Sequence, residues 1–131
     1  MTTTNIVSTE QRFYTSSPFQ YLDTRKFEQL ASGHRQIMRD TANAFIAFMP
    51  SMLAELEGSV QRQEANTAGK LLHKIKASTS LMSKDNMYEN ILNLERSVIR
   101  VASPEFKHDV AELIASIRML IEESRQFITR L

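Results

Sequence analysis

The 131-residue chain has no cysteine and no tryptophan, and only three glycines and three prolines. Without cysteine there is no disulfide staple, no thiolate nucleophile and no cysteine-bound zinc. The few glycines form no phosphate-cradling loop, and neither a Gly-x-Ser-x-Gly nor a His-Glu-x-x-His pattern occurs. Sixteen basic residues stand against fifteen acidic ones, a formal net charge of +1, and no block of lysine or arginine marks a nucleic-acid or anionic-membrane surface. The longest apolar runs, such as residues 45–49, are far too short to span a bilayer, and the first residues lack the apolar core of a signal peptide. The expectation is a cytoplasmic protein with no nucleic-acid and no membrane partner.

What is present is helical periodicity. Hydrophobic residues make up 42% of the chain, enough for one core in a chain of single-domain length. Apolar residues recur at three- and four-residue spacing, and no alternation of period two is found. Residues 1–20 lack periodicity and read as a flexible or loosely docked arm, which Phe13, Tyr14, Phe19 and Tyr21 could pin in part. Residues 21–131 read as one domain. A short helix over 24–31 has Asp23 as N-cap and Gly33 just past its end. A second, over 34–60, carries Ile37, Thr41, Ala44, Phe45, Phe48, Met52, Leu53 and Leu56 on one side, with Pro50 expected to kink or split it. A third spans 67–82. A fourth, over 86–101, follows Asp85 as N-cap, and a fifth starts at Pro104 behind Ser103. Four long amphipathic helices joined by short turns predict an all-α, antiparallel up-down-up-down four-helix bundle with a short additional N-terminal helix. The seven methionines mostly fall on the apolar stripes, as core filler.

The third helix holds the residue with chemistry. At roughly 100° per residue, Ala68, Leu71, Leu72, Ile75, Thr79 and Met82 gather on one side, and His73 lies about 150° from the centre of that stripe. It therefore faces water. Gly69, Lys70, Lys76, Ala77 and Ser80 share its surface, so the imidazole is expected among cationic heads and small residues. Nearby positive charge favours the neutral, nucleophilic ring and can neutralise a phosphoryl group. Small residues a turn away leave a low surface that another protein's site can approach. No histidine or carboxylate stands at i+3 or i+4 from His73, and His34 and His108 lie on other elements, so no metal site is expected. The adjacent pair Glu122 and Glu123 diverges on its helix and reads as part of a solvated face.

The string HKIKAS, residues 73–78, resembles the H-x-L-K-G-S signature of histidine-containing phosphotransfer (HPt) domains, in which the histidine is the phosphoacceptor. The likeness extends upstream through YLDTRKFEQLASG and FIAFMPSMLAELEGSV, and downstream to Met82, Met87 and the pair Leu94–Glu95, covering Tyr21 to Ile99. Ala77 stands where the family usually has glycine, and Ser83 and Lys84 replace a frequent Gly-Ala pair. The resemblance implies a stand-alone intermediate of a two-component phosphorelay. His73 would accept a phosphoryl group from the aspartyl phosphate of one receiver domain and pass it to another. It implies that Lys76 and Lys70 stabilise the phosphoryl group, and that Gly69, Ala77 and Ser80 belong to the docking surface. The expected partners are response-regulator receiver domains, a hybrid sensor kinase or both. Mg²⁺ is expected in the partner's receiver domain, with no cofactor bound by this chain. Such a monomer is a phosphocarrier rather than an enzyme. Two alternatives stand beside it: a receiver-binding module that transfers nothing, and a structural helical adaptor in which His73 is incidental.

Overall fold

The computed structural model describes residues 19–131, so Phe13 and Tyr14 of the expected arm lie outside the described residues. The helices are α1 (Thr24–Leu30), α2 (Arg35–Gln61), α3 (Ala65–Thr79), α4 (Asp85–Arg96) and α5 (Pro104–Ile128), with a 3₁₀ turn at Val98–Arg100. Among the described residues there is no strand, only one antiparallel bridge between Leu22 and Ser83. The fold is all-helical. α2 packs on α3 and α5, and α4 packs on the same two helices. The side chains between them form one apolar core, with Leu53, Leu56, Leu72, Ile75, Ile91, Ile117 and Leu120 closed to solvent. α1 adds Phe27, whose ring meets Phe127 of α5 at 5.9 Å.

Local chemistry explains the boundaries. The Asp23 carboxylate accepts from the Lys26 N–H at the start of α1, and the Ser103 hydroxyl accepts from the Phe106 N–H behind Pro104 at the start of α5. α1 ends with the Gly33 N–H donating to the Glu28 carbonyl and the Ser32 N–H to that of Gln29. That closure holds Ser32 and Gly33 at φ 52° and 73°, where glycine is at ease. α2 ends in the same way, with Gln63 at φ 59°.

Three expectations need correction. α2 is not split at Pro50 but continues as one helix, and the exposed position of Pro50 leaves the gap in the hydrogen-bond ladder on the solvent side. Its core stripe is Met38, Ala42, Phe45, Met49, Leu53 and Leu56, while Ile37 and Phe48 remain about half exposed. The helix carries two apolar stripes one residue, or about 100°, apart, and its neighbours cover the one rich in methionine. α4 begins at Asp85 with Lys84 in the cap position and stops at Arg96, where the Ser97 hydroxyl donates back to the Asn93 carbonyl. Val98 and Val101 keep the apolar rhythm, but from the 3₁₀ turn and its end.

The segment entering α1 is tied to the far end of the chain. Glu123 of α5, expected on a solvated face, is buried. Its carboxylate accepts the backbone N–H groups of Gln20, Tyr21 and Leu22, each at 2.9 Å. Asp23 N–H donates to the Met82 carbonyl, Lys84 N–H to that of Tyr21, and the Lys84 ammonium to that of Phe19. The pair that departs from the HPt pattern therefore serves this junction: Ser83 is buried in it, and Lys84 is one of its ties.

Candidate functional site

α3 takes its orientation from the stripe anticipated for it: Ala68, Leu71, Leu72, Ile75 and Thr79 are all buried, and Met82 is buried just past the end of the helix, which spans 65–79 rather than 67–82. That leaves His73 pointing outward with two-thirds of its side chain exposed. Lys70 and Ala77 are exposed with it, whereas Gly69 and Ser80 are half-buried and the Ser80 hydroxyl donates to the Ala77 carbonyl. Lys76 differs from expectation. Only 13% of its side chain is exposed, because it folds inward over the Tyr88 ring to bind Glu95.

Glu95 is the residue that the helical wheel of α3 could not supply. It stands near the end of α4, beside the buried Leu94, at the border position from which a long carboxylate reaches the neighbouring helix. One oxygen, Oε1, accepts from the Lys76 ammonium at 2.7 Å, and the other, Oε2, lies 2.9 Å from Nδ1 of His73. The charge in contact with the imidazole is thus negative, not the cationic surround expected from α3 alone. An ionised carboxylate only accepts hydrogen bonds, so Nδ1 carries the proton and the lone pair of the neutral ring lies on Nε2. The Lys76 hydrogen bond, above all, holds Glu95 below the usual carboxylate range. The His73 hydrogen bond and the charge of the Lys76 ammonium add to it, against partial desolvation, which acts the other way.

A groove of about 630 Å³ opens beside the imidazole, lined by Gly69, Lys70, Lys74, Val98 and Ile99 among others. Among the described residues, the ammonium groups of Lys70 and Lys74 have no ion-pair or hydrogen-bond partner. The arrangement can present a nucleophilic nitrogen to a partner, hold the ring still, and offer two unengaged cations to an anion bonded to that nitrogen. Elsewhere, His108, Asp109 and Glu112 bring three exposed ligand atoms within 4.8 Å of one another, well separated in sequence from His73. No helix among the described residues is long and apolar enough to cross a membrane.

Searches against protein-family models, curated proteins and solved structures give no match to this chain.

Proposed function

We propose that this protein is a histidine phosphocarrier of the HPt type, a cytoplasmic monomer that passes phosphoryl groups between receiver domains. The proposed architecture is an antiparallel up-down-up-down bundle of α2 to α5, supported by the circuit of contacts among these helices and by the three-residue turn between α2 and α3. The observation that carries the reading is the state of His73: outward, fixed through Nδ1 by Glu95, and open at Nε2.

In the transfer, the Nε2 lone pair attacks the phosphorus of a receiver's aspartyl phosphate. The P–N bond forms as the acyl P–O bond breaks, and the aspartate leaves as a carboxylate. The ring keeps its Nδ1 proton and becomes cationic, a charge that Glu95 already faces. A second receiver's aspartate then attacks the same phosphorus, and the neutral imidazole is restored. Lys70 meets the phosphoryl oxygens directly, while Lys76 acts through the carboxylate it shares with His73. The receiver's acidic cluster and its Mg²⁺ provide most of the transfer chemistry, which makes this chain a carrier rather than an enzyme.

The deciding experiment mixes the protein with a phosphorylated receiver and Mg²⁺, alongside His73→Gln. Acid-labile, base-stable phosphate is expected on wild type only, with a melting temperature nearly unchanged in the variant because the side chain is exposed. Label on both proteins would remove His73 from the site. Binding without label would leave a receiver-binding module, and absence of both would leave a helical adaptor.

A further inference from the structure

Lysine is almost never buried unless it is paired, yet the side chain of Lys76 is only 13% exposed. Its ammonium has two neighbours on α4: Glu95 Oε1 at 2.7 Å, and the ring of Tyr88, whose centroid lies 5.7 Å away. Tyr88 and Glu95 are two helical turns apart, so they share one stripe of α4, beside the buried line of Met87, Ile91 and Leu94. Tyr88 is not itself a core residue, being 37% exposed and outside the apolar cluster. Among the described residues, Oε1 is the only hydrogen-bond acceptor for an ammonium with three donors to place. The negative face of the Tyr88 ring supplies a second attraction. Lys70 and Lys74 of the same helix face no ring and no carboxylate among the described residues, and both stay exposed.

We propose that Tyr88 is a positioning residue for His73, acting through Lys76 and Glu95. Its effect on phosphoryl acceptance rests on the relay reading, but its effect on the imidazole does not. With its ammonium drawn to the ring face, Lys76 holds Oε1 and so turns Oε2 of the same carboxylate toward Nδ1 of His73, 2.9 Å away. That contact keeps the proton on Nδ1 and the lone pair on Nε2. Without the ring, water competes for the ammonium on better terms, and the lysine stem loses the surface on which it lies. Glu95 is then held by the imidazole alone, its carboxylate turns more freely, and the neutral ring divides between two tautomers. One of them carries its proton on the nitrogen that has to attack.

The test compares wild type with Tyr88→Leu, which keeps apolar bulk but no electron-rich face, and with Tyr88→Phe, which keeps the face. Two quantities are read: the tautomer of His73, from the nitrogen chemical shifts of its neutral ring, and the rate of labelling by phosphoramidate, a small phosphodonor that needs no docking surface. Tyr88→Leu is expected to lower the share of the Nδ1–H tautomer and to slow labelling roughly threefold, with the melting temperature nearly unchanged because the side chain lies outside the core. Tyr88→Phe is expected to match wild type in both. Added to Lys76→Met, Tyr88→Leu is expected to cause no further loss. A wild-type tautomer or a wild-type labelling rate in Tyr88→Leu overturns the proposal and leaves the relay reading intact. So does a Tyr88→Phe variant as impaired as Tyr88→Leu, which would put the effect in the hydroxyl, and so does a further loss in the Lys76→Met background. If phosphoramidate and phosphorylated receivers leave wild type unlabelled while the tautomer follows the ring as expected, the positioning assignment stands and the relay reading falls. A wild-type ring protonated on Nε2 rather than Nδ1 overturns the proposal at its first step.

Discussion

Glu95 and Glu123 are both carboxylates that reach out of their own helix, and they spend their oxygens differently. Glu95 takes two side-chain heads, an imidazole and an ammonium, at a half-open surface. Glu123 takes three main-chain N–H groups in the buried junction between residues 20–22 and α5. Side-chain partners carry charge and can change state, so the first carboxylate is coupled to whatever happens at Nε2 of His73. Main-chain partners have fixed positions and no net charge, so the second acts as a clasp. The same functional group joins two side chains of the neighbouring helix in one place and fixes the chain path in the other, according to what it binds.

The comparison breaks most visibly at Glu123. Glu123→Ala leaves three amide donors without their acceptor, one of them on the buried Leu22. At about 1 kcal/mol or more for each lost bond to a charged group, the expected destabilisation is about 3 kcal/mol, a melting temperature lower by roughly 10 °C. Labelling of His73 by phosphoramidate, measured below the transition, is expected to be unchanged. Glu123→Gln should fall between the two, since its one carbonyl oxygen can still serve Tyr21 and Leu22 while its amide group confronts the Gln20 N–H. A wild-type melt for Glu123→Ala would show that the other ties, from Asp23 N–H to Met82 and from Lys84 to Phe19 and Tyr21, hold the segment without the carboxylate.

How much of this was legible in the sequence follows from the range of each interaction. The core face of α3, and with it the outward direction of His73, depends on residues within four positions of one another, and periodicity located every one of them. The caps at Asp23 and Ser103 are equally local. Phe45, Leu53 and Leu56 of α2 were placed correctly, but Ile37 and Phe48 were read one residue out of phase because the helix has apolar side chains over a wider arc than its neighbours cover, and only those neighbours decide between Phe48 and Met49. Glu123 was misread for a different reason. Its partners are backbone groups about a hundred residues upstream, which leave no mark on the side-chain pattern. The HPt resemblance spanned Leu94–Glu95 as a matter of spacing, but the use of Glu95 emerges only when α4 is laid against α3.

Glu95→Gln sharpens the contrast from the other side. The amide has one oxygen for two donors, so either His73 or Lys76 loses its partner. Loss of a charged hydrogen bond beside the reacting ring is expected to slow receiver-dependent labelling roughly tenfold, about 1.4 kcal/mol, while stability changes by less than about 1 kcal/mol because the group is near the surface. A rate equal to wild type would leave Glu95 no part in transfer. The pH dependence has a definite sign. Because its carboxyl is held below the usual range in the fold, the stability from Glu95 is complete above the ordinary glutamate value of about 4.3 and is lost as pH falls through the depressed one. Wild type should therefore lose more stability than Glu95→Gln on acidification through that window, and parallel melts would refute the linkage.

The smallest effect is expected at Gly69, on the floor beside His73, where stability and access make opposing demands. Glycine inside a helix costs about 0.5–1 kcal/mol relative to alanine, and the added methyl would meet Val98 at 3.6 Å, an ordinary contact. Gly69→Ala should accordingly raise the melting temperature by a few degrees and, since one methyl raises the floor little, change receiver-dependent transfer by less than about twofold. Gly69→Leu would fill the groove and slow transfer without slowing labelling by phosphoramidate. A lower melting temperature for Gly69→Ala would mean that the 3₁₀ turn has no slack against α3. A stabilised Gly69→Ala with markedly slower transfer would mean that this glycine keeps the surface low for a partner, at a cost in stability.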